Sequence, residues 1–274
     1  MSGSQVLLRR GLDVAARGLD AVAPPEPGLT VLAYHQVGAP TAGSVNLTVE
    51  AFAEQMAMLA AGAGRCTVVT LDDGLAALDR QHGDPMVAVT FDDGTADFAD
   101  HAVPVLARHG IPATLYLATA FVEEGRSFWD DGTVLSWRAL RDACSTGLVS
   151  VGSHTHRHVL LDRASPAVVA DELDRSRDLI EDSLGMDARH FAYPKALPPS
   201  PAAAALVRER FASAARAGGR VNPYGTTDPQ QLARTPVTVR DEVGDVARKA
   251  RGGLRLEGLV RERLDRRRYA GRTS

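Results

Sequence analysis

Short apolar runs closed by glycine, proline or polar residues alternate along this chain with stretches whose apolar residues recur at helical spacing. The runs at 30–34, 86–91, 112–117, 149–152, 190–193 and about 235–239 read as buried strands. Residues 48–61 place Phe52, Met56 and Leu59 on one helical face, with Gly62 just past the last turn. Residues 101–109 end at Gly110, and Ser136 caps a helix that stops near Gly147. Ser165 followed by Pro166 is a cap and first-turn pair for a long helix that runs to Leu184 and closes at Gly185. On that helix Asp171 and Arg175 form an i,i+4 pair that solvates a face. Strand–helix alternation predicts an α/β protein, a parallel sheet with helices outside it. Periodicity alone does not separate a doubly wound sheet from a barrel.

The two ends differ from this middle. Near the N-terminus Leu7 and Leu8 are followed by Arg9, Arg10, Asp13, Arg17 and Asp20. These charges interrupt any apolar core, so the segment reads as an amphipathic helix and not as an export signal. Pro24, Pro25 and Pro27 end it and make a stiff linker. From Asp241 onward the chain interleaves Arg248, Lys249, Arg251, Arg255, Arg261 and further arginines with Leu254, Leu259, Val260 and Leu264. This tail predicts a basic helix. Such a helix packs on the domain with a solvated face, or makes peripheral contact with an anionic membrane surface. The expected division is 1–28, a helix and Pro-rich linker; 29–240, the main domain; and 241–274, the basic tail.

Composition narrows the function classes. The 274 residues suit one large α/β domain or two small ones. With 34 acidic residues against 31 basic ones, the net charge of −3 argues against a nucleic-acid partner. Cys66 and Cys144 are too few for a disulfide framework and read as two separate buried thiols. No stretch approaches the roughly 20 apolar residues that span a bilayer.

Candidate chemistry sits at the ends of the predicted strands. Asp92 and Asp93 follow the run Met86, Val87, Ala88, Val89, Thr90, Phe91 and precede Gly94. Two like charges at a strand end repel, and a metal ion is the natural compensation. The bland alternative is a turn in which Asp caps a helix. Asp72, Asp73 and Gly74 repeat the string without a comparable buried run, and read as a turn or helix start. Beyond the strand at 149–152, His154 and His158 are four apart, a spacing that puts two imidazoles on one side of a helical turn. One carboxylate and two imidazoles leave a fourth position for water, as catalytic metal sites do. The second carboxylate is then free to act as a base. His156, offset by two residues, turns away from that face and is expected to be exposed or a backbone hydrogen-bond partner. A third segment, Arg189 to Pro194, ends another short strand at a proline.

These three segments, in this order, resemble the polysaccharide deacetylases, the NodB-homology domain of carbohydrate esterase family four. The family's first motif, Thr-Phe-Asp-Asp-Gly, stands whole at 90–94. The second, His-Ser/Thr-x-x-His, is matched by His154, Thr155, His156, Arg157, His158, and the third, Arg-x-x-x-x-Pro, by Arg189 through Pro194. The opening Leu32, Ala33, Tyr34, His35 is similar to the start of the exopolysaccharide N-deacetylase subgroup. The resemblance takes in roughly residues 30–240.

The resemblance implies a distorted (β/α) barrel of about seven strands. It implies a divalent metal, expected to be Zn²⁺, on Asp93, His154 and His158, with Asp92 as general base. It implies that Arg189 pairs with Asp92, and that the backbone N–H of Tyr193 helps hold the oxyanion. The expected reaction is removal of N-acetyl groups from amino sugars of a polysaccharide. An amine leaves only when protonated, so a general acid is required. Many relatives supply it from a late Leu-x-His motif. Here the matching stretch is Leu232, Ala233, Arg234, and arginine does not give up a proton near neutral pH. His35, at the end of the first strand, is the candidate acid; a histidine hydrogen-bonded in the barrel is the alternative. Lys195, after Pro194, either reaches an anionic substrate group or is merely exposed. Trp129 and Trp137 are candidates for a sugar groove, with core packing the alternative for Trp137. O-acetyl esterase activity and a catalytically inactive carbohydrate-binding barrel remain open. So does location, outside the cytoplasmic membrane by resemblance or inside it for lack of an export signal.

Overall fold

The computed structural model describes residues 26–40, 42–128 and 133–253. The N-terminal helix expected within 1–23, Trp129 and the tail beyond residue 253 lie outside the described residues. The strands in chain order are β1 (Gly28–Tyr34), β2 (Gln36–Val37), β3 (Asn46–Leu47), β4 (Thr67–Val68), β5 (Met86–Phe91), β6 (Ala113–Leu117), β7 (Val149–Ser153), β8 (His190–Ala192), β9 (Ser213–Ala217), β10 (Asn222–Pro223) and β11 (Leu232–Pro236). The α-helices are α1 (Val49–Ala60), α2 (Leu71–Leu78), α3 (Val103–His109), α4 (Thr119–Glu123), α5 (Trp137–Ser145), α6 (Pro166–Leu184), α7 (Pro201–Arg210) and α8 (Val243–Lys249).

Seven parallel strands close into a barrel in the order β1, β5, β6, β7, β8, β9, β11 and back to β1. The β1–β5 pairing, Leu29 with Met86 through Tyr34 with Phe91, makes the closure. β4 extends the sheet beside β5, and β10 runs antiparallel along β1. The expected alternation and barrel are therefore present. β9 and α7 had no counterpart among the expected elements, because Ser213, Ala214 and Ala215 carry little apolar signal and the alanines of α7 no amphipathic pattern.

Side-chain alternation along the strands divides the core in two. Leu32, Val87, Val89, Leu115 and Val151 face outward against the helices. Val31, Ala88, Ala192, Ala215 and Leu232 point the other way, into the bore, around the ring of Tyr116. Small residues on the wall make room for that ring. Gly152 is the tightest point: a methyl group there would lie 2.5 Å from the His190 carbonyl oxygen and 3.0 Å from the Tyr116 ring. Leu71 and Leu78 of α2 pack with Leu29 and Met86 and close the bottom of the bore. Thr70 caps α2 by accepting from the Asp73 N–H, so Asp72, Asp73 and Gly74 are indeed a helix start.

Outside the barrel, α1 buries Phe52, Met56 and Leu59, with Thr48 as its cap. Phe52, Tyr34, Phe91 and Phe98 form an aromatic cluster with ring centroids 5.0–5.7 Å apart. Burying each such ring contributes about 1.5–3 kcal/mol. This cluster braces the upper ends of β1 and β5, where candidate catalytic residues begin. Ser165 and Ser136 cap α6 and α5 as expected. Asp171 and Arg175 do not pair. Arg157 meets Asp171 at 3.3 Å, and Arg175 meets Glu123 at 3.4 Å. Cys66 and Cys144 are separate, partly buried thiols. At the start of the tail, Lys249 is buried against Asp241 at 2.6 Å and donates to the Pro236 carbonyl, which fastens α8 to the barrel. No described helix is long and apolar enough to cross a membrane.

Candidate active site

Parallel strands bring all their carboxyl ends to one rim, and the candidate residues of β1, β5 and β7 meet there. β5 leaves the sheet at Asp92, whose N–H still donates to the Tyr34 carbonyl at 3.1 Å. The chain then turns sharply. The Gly94 N–H bonds back to the Asp92 carbonyl at 2.9 Å, and Asp93 between them takes a left-handed φ of 75°. This is a γ-turn of the rare, strained hand. Gly94 itself has φ 91°, and a methyl group there would collide with Leu117 Cδ1. The turn points both carboxylates into the site, and both are buried.

The histidines arrive by a different route from the one their spacing suggested. No helix follows β7. Residues 154–159 form a turn in which Thr155 and His158 have φ 66° and 60°. The turn is tied to α6. Ser153 Oγ pairs with Ser176 Oγ at 2.6 Å, and buried Glu172 accepts from the Arg157 backbone N–H at 2.7 Å and its Nε at 2.6 Å. His156 is not exposed. Its Nδ1 meets Thr119 Oγ1 at 2.9 Å and its carbonyl accepts from Ala120 N–H, so it anchors the turn to α4.

The outcome is a convergent three-ligand set. His154 Nε2 and His158 Nε2 each lie 3.6 Å from Asp93 Oδ1. Ligand atoms of the three residues lie within 4.8 Å of one another, and the described residues contain no other such group of three or more. Tetrahedral ligands about 2.1 Å from an ion sit roughly 3.4 Å apart, so the spacing suits zinc-sized coordination. His154 Nδ1 donates to the Ala192 carbonyl at 2.7 Å, which leaves Nε2 with its lone pair toward Asp93. Burial pushes His154 down to about 4 and His158 to about 2, so both imidazoles are neutral, as ligation requires. Burial, and then the neighbouring Asp92, push the Asp93 carboxyl up to about 7. Among the described residues the groups within ion-pair distance of the buried Asp93 carboxylate are two neutral imidazoles, with Lys195 and Arg234 acting only from further away, and the residues fit a divalent cation on that ground.

Asp92 is compensated by a residue with no assigned role in the sequence reading. Arg234, from the middle of β11, lies inside the bore with its guanidinium 5.2 Å from the Tyr116 ring centroid. It donates to Asp92 Oδ1 at 2.5 Å and to Oδ2 at 2.8 Å, a two-pronged buried pair. Burial works to raise the Asp92 carboxyl, but Arg234, aided by His154 and His35, overrides it and holds the group well below the usual carboxylate range. His35 follows β1 and reaches the same place. Its Nε2 is 3.8 Å from Asp92 Oδ2, and the side chain remains 25% exposed.

Two expected roles are corrected. Arg189 does not meet Asp92. It precedes β8 while Asp92 follows β5, so parallel strands put them at opposite ends of the barrel. Its guanidinium is 57% exposed and 3.3 Å from Asp72. The Tyr193 N–H is not available to an oxyanion, because it donates to the Ala215 carbonyl at 2.9 Å as a continuation of the β8–β9 ladder. The Tyr193 ring packs against Phe191. Lys195 is exposed, with Nζ 6.0 Å from the Phe128 ring centroid. Phe128 itself, which the sequence did not single out, packs edge-on to His158 at 4.9 Å and forms a wall beside that candidate ligand. Trp137 is partly buried against the outer core, away from a groove role.

Comparison with known proteins gives a consistent picture. A family model for polysaccharide deacetylase matches residues 79–209. A poly-beta-1,6-N-acetyl-D-glucosamine N-deacetylase of Staphylococcus epidermidis is 32% identical over 120 residues, 40% of this chain and 40% of that protein. One from Staphylococcus aureus strain MRSA252 is 29% identical over 119 residues, with the same 40% shares. The chain thus spans 40% of the length of the curated relatives it matches. Among solved structures, IcaB from Ammonifex degensii superposes with a TM-score of 0.73 at 27% identity, over 83% of this chain and 99% of that one. The Streptococcus pyogenes deacetylase PplD, in complex with acetate, shares the fold with a TM-score of 0.71 at 19% identity, over 81% of this chain and 97% of that one. The barrel, the strained Asp-Asp-Gly turn and the paired histidines agree with these matches: the chain is similar to the polysaccharide deacetylases in sequence over residues 79–209 and in fold over most of its length.

Proposed function

We propose that this protein is a metal-dependent hydrolase that removes N-acetyl groups from amino-sugar residues of a polysaccharide, with a poly-N-acetylglucosamine chain as substrate. The observation that carries this reading is the convergence of Asp93, His154 and His158 beside a second carboxylate held ionised by Arg234. The two staphylococcal relatives, by their names, supply the substrate class.

Asp93, His154 and His158 would hold a divalent cation, zinc by its carboxylate–imidazole donor set. When bound, the ion supplies a Lewis acid for the acetyl carbonyl and lowers the pKa of water. The rest falls to the chain's own residues. Asp92 takes a proton from the attacking water as oxygen bonds to the acetyl carbon. Arg234 fixes the orientation of that carboxylate and balances its charge. His35, on the exposed side of Asp92, gives a proton to the amide nitrogen as the carbon–nitrogen bond breaks, releasing acetate and a free amine. That donor role makes up for the missing late histidine, and so favours the amide over the ester as substrate.

Acetate release from β-1,6-linked N-acetylglucosamine oligomers is the direct test. Release is expected from the zinc-loaded protein, to be lost after dialysis against a chelator and restored by zinc. Equal release after exhaustive metal removal would sink the metal role. Release from O-acetylated glycans alone would replace the N-deacetylase reading with an esterase. For His35→Ala, N-deacetylation is expected to fall by about 10²–10⁴-fold. Hydrolysis of an activated aryl acetate, whose leaving group needs no proton, should fall much less. Equal losses on both substrates would remove His35 from the acid role.

A further inference from the structure

A small cavity of about 50 Å³ opens between the loops that follow β1 and β5. Gln36, Thr95, Asp97, Asp100 and His101 supply its polar lining. It is tied to the candidate catalytic residues on both sides. Gln36 follows His35, and Thr95 is two residues past Asp93. Asp97 Oδ2 accepts from the Val37 backbone N–H at 2.7 Å and so joins the two loops.

The charge arrangement there is unusual. Asp97 is buried and Asp100 stands exposed on the rim. Among the described residues, the ion pairs within 4.0 Å include none to either carboxylate. Thr95 is 4% exposed, and its Oγ1 lies beside Asp97 without completing a hydrogen bond of good geometry. Burial also raises the Asp97 carboxyl above its ordinary range. Two carboxylates and a spare hydroxyl, with the His101 imidazole beside Asp97 and no lysine or arginine in the lining, suit a small positively charged group with hydrogen-bond donors. The volume admits an ammonium or hydroxymethyl group and not a whole pyranose.

The proposed reaction makes such a group. Every turnover converts a neutral acetamido sugar into one that carries an ammonium. Resting on that reading, we propose that the cavity bounded by Thr95, Asp97 and Asp100 is a subsite for the ammonium of an already deacetylated sugar near the acetylated unit being processed. The enzyme then prefers chains that it has begun to deacetylate, and free amines accumulate in neighbourhoods along the polymer.

The test compares β-1,6-linked N-acetylglucosamine pentamers, fully acetylated or carrying one free amine at a defined position. For the wild-type protein, at least one singly deacetylated isomer is expected to show a KM several-fold lower than the fully acetylated pentamer, with similar kcat. That advantage should shrink as salt is raised, since charge attraction at a rim is screened. In Asp100→Asn the ratio of kcat/KM between the two substrates is expected to fall to about one. Asp100→Glu should retain a preference. Equal KM values for every isomer in the wild type, or an unchanged ratio in Asp100→Asn, overturns the subsite. Absence of acetate from all pentamers, the fully acetylated one included, is instead a failure of the deacetylase reading.

Discussion

Arg234→Met is expected to cost about 3–5 kcal/mol of folding stability, because it removes the guanidinium that pairs with a buried carboxylate. The expected measurement is a large drop in the denaturant midpoint with an unchanged slope. The loss should depend on pH with a definite sign. In the wild type Asp92 is held below its unfolded value of about 3.9. Its pair therefore contributes fully above that value and fades as pH falls toward the folded one. In the variant, burial is opposed only by His154 and His35, and the carboxyl rises above its unfolded value. Deprotonation then destabilises the fold, so the penalty is greatest near pH 7 and smaller near pH 4. A midpoint that does not move, or a penalty that grows on acidification, contradicts the buried pair. Arg234→Lys keeps the charge and loses the fork, and should recover part of the stability but little of the activity. The effect on turnover follows from position: a carboxylate free to rotate no longer meets the attacking water in one orientation.

The second large effect concerns the carboxylate itself. Asp92→Asn keeps the shape, removes the charge and leaves Arg234 buried with a weaker partner. Turnover on N-acetylated oligomers is expected to fall by about 10²–10⁴-fold, the usual contribution of a positioned base. Metal content should stay near one equivalent, because the proposed ligand set is Asp93, His154 and His158. Asp93→Asn should show the reverse order of events, with metal lost first and activity as a consequence. The distinction can be read by metal analysis of the two purified variants. An Asp92→Asn protein with full activity would remove the base role; one without metal would move Asp92 into the ligand set.

The sequence made the strand ends legible and left the bore obscure. Asp92, Asp93, His154 and His158 stand out because each follows a short apolar run, and such runs end on one rim of a parallel barrel. The turns that present them are less visible. Four-residue spacing of the histidines suits a helix, yet left-handed Thr155 and His158 bring the rings together without one. Arg189 illustrates the opposite error. It precedes the strand at 190–193 whereas Asp92 follows one, so in a parallel barrel residue order alone puts the two on opposite rims. Arg234 was in plain view as a departure from a histidine motif. Its partnership with Asp92 depends on β11 lying beside β1 and β1 beside β5, a closure that residue order does not state. Alternation within Leu232, Ala233, Arg234, Thr235 was the available signal: an arginine in phase with Leu232 shares its side of the strand.

The cramped interior of the barrel links remote wall positions to the chemistry. Tyr116 is bounded on one side by the bare backbone at Gly152 and lies beside the guanidinium that holds Asp92. Extra bulk at the wall would tilt the ring, the ring would lift the arginine, and the arginine would carry the carboxylate with it. On the proposed role of Asp92, variants selected for altered catalysis arise at positions no sugar ever touches, with the barrel's lining serving as the shim that sets the height of that carboxylate.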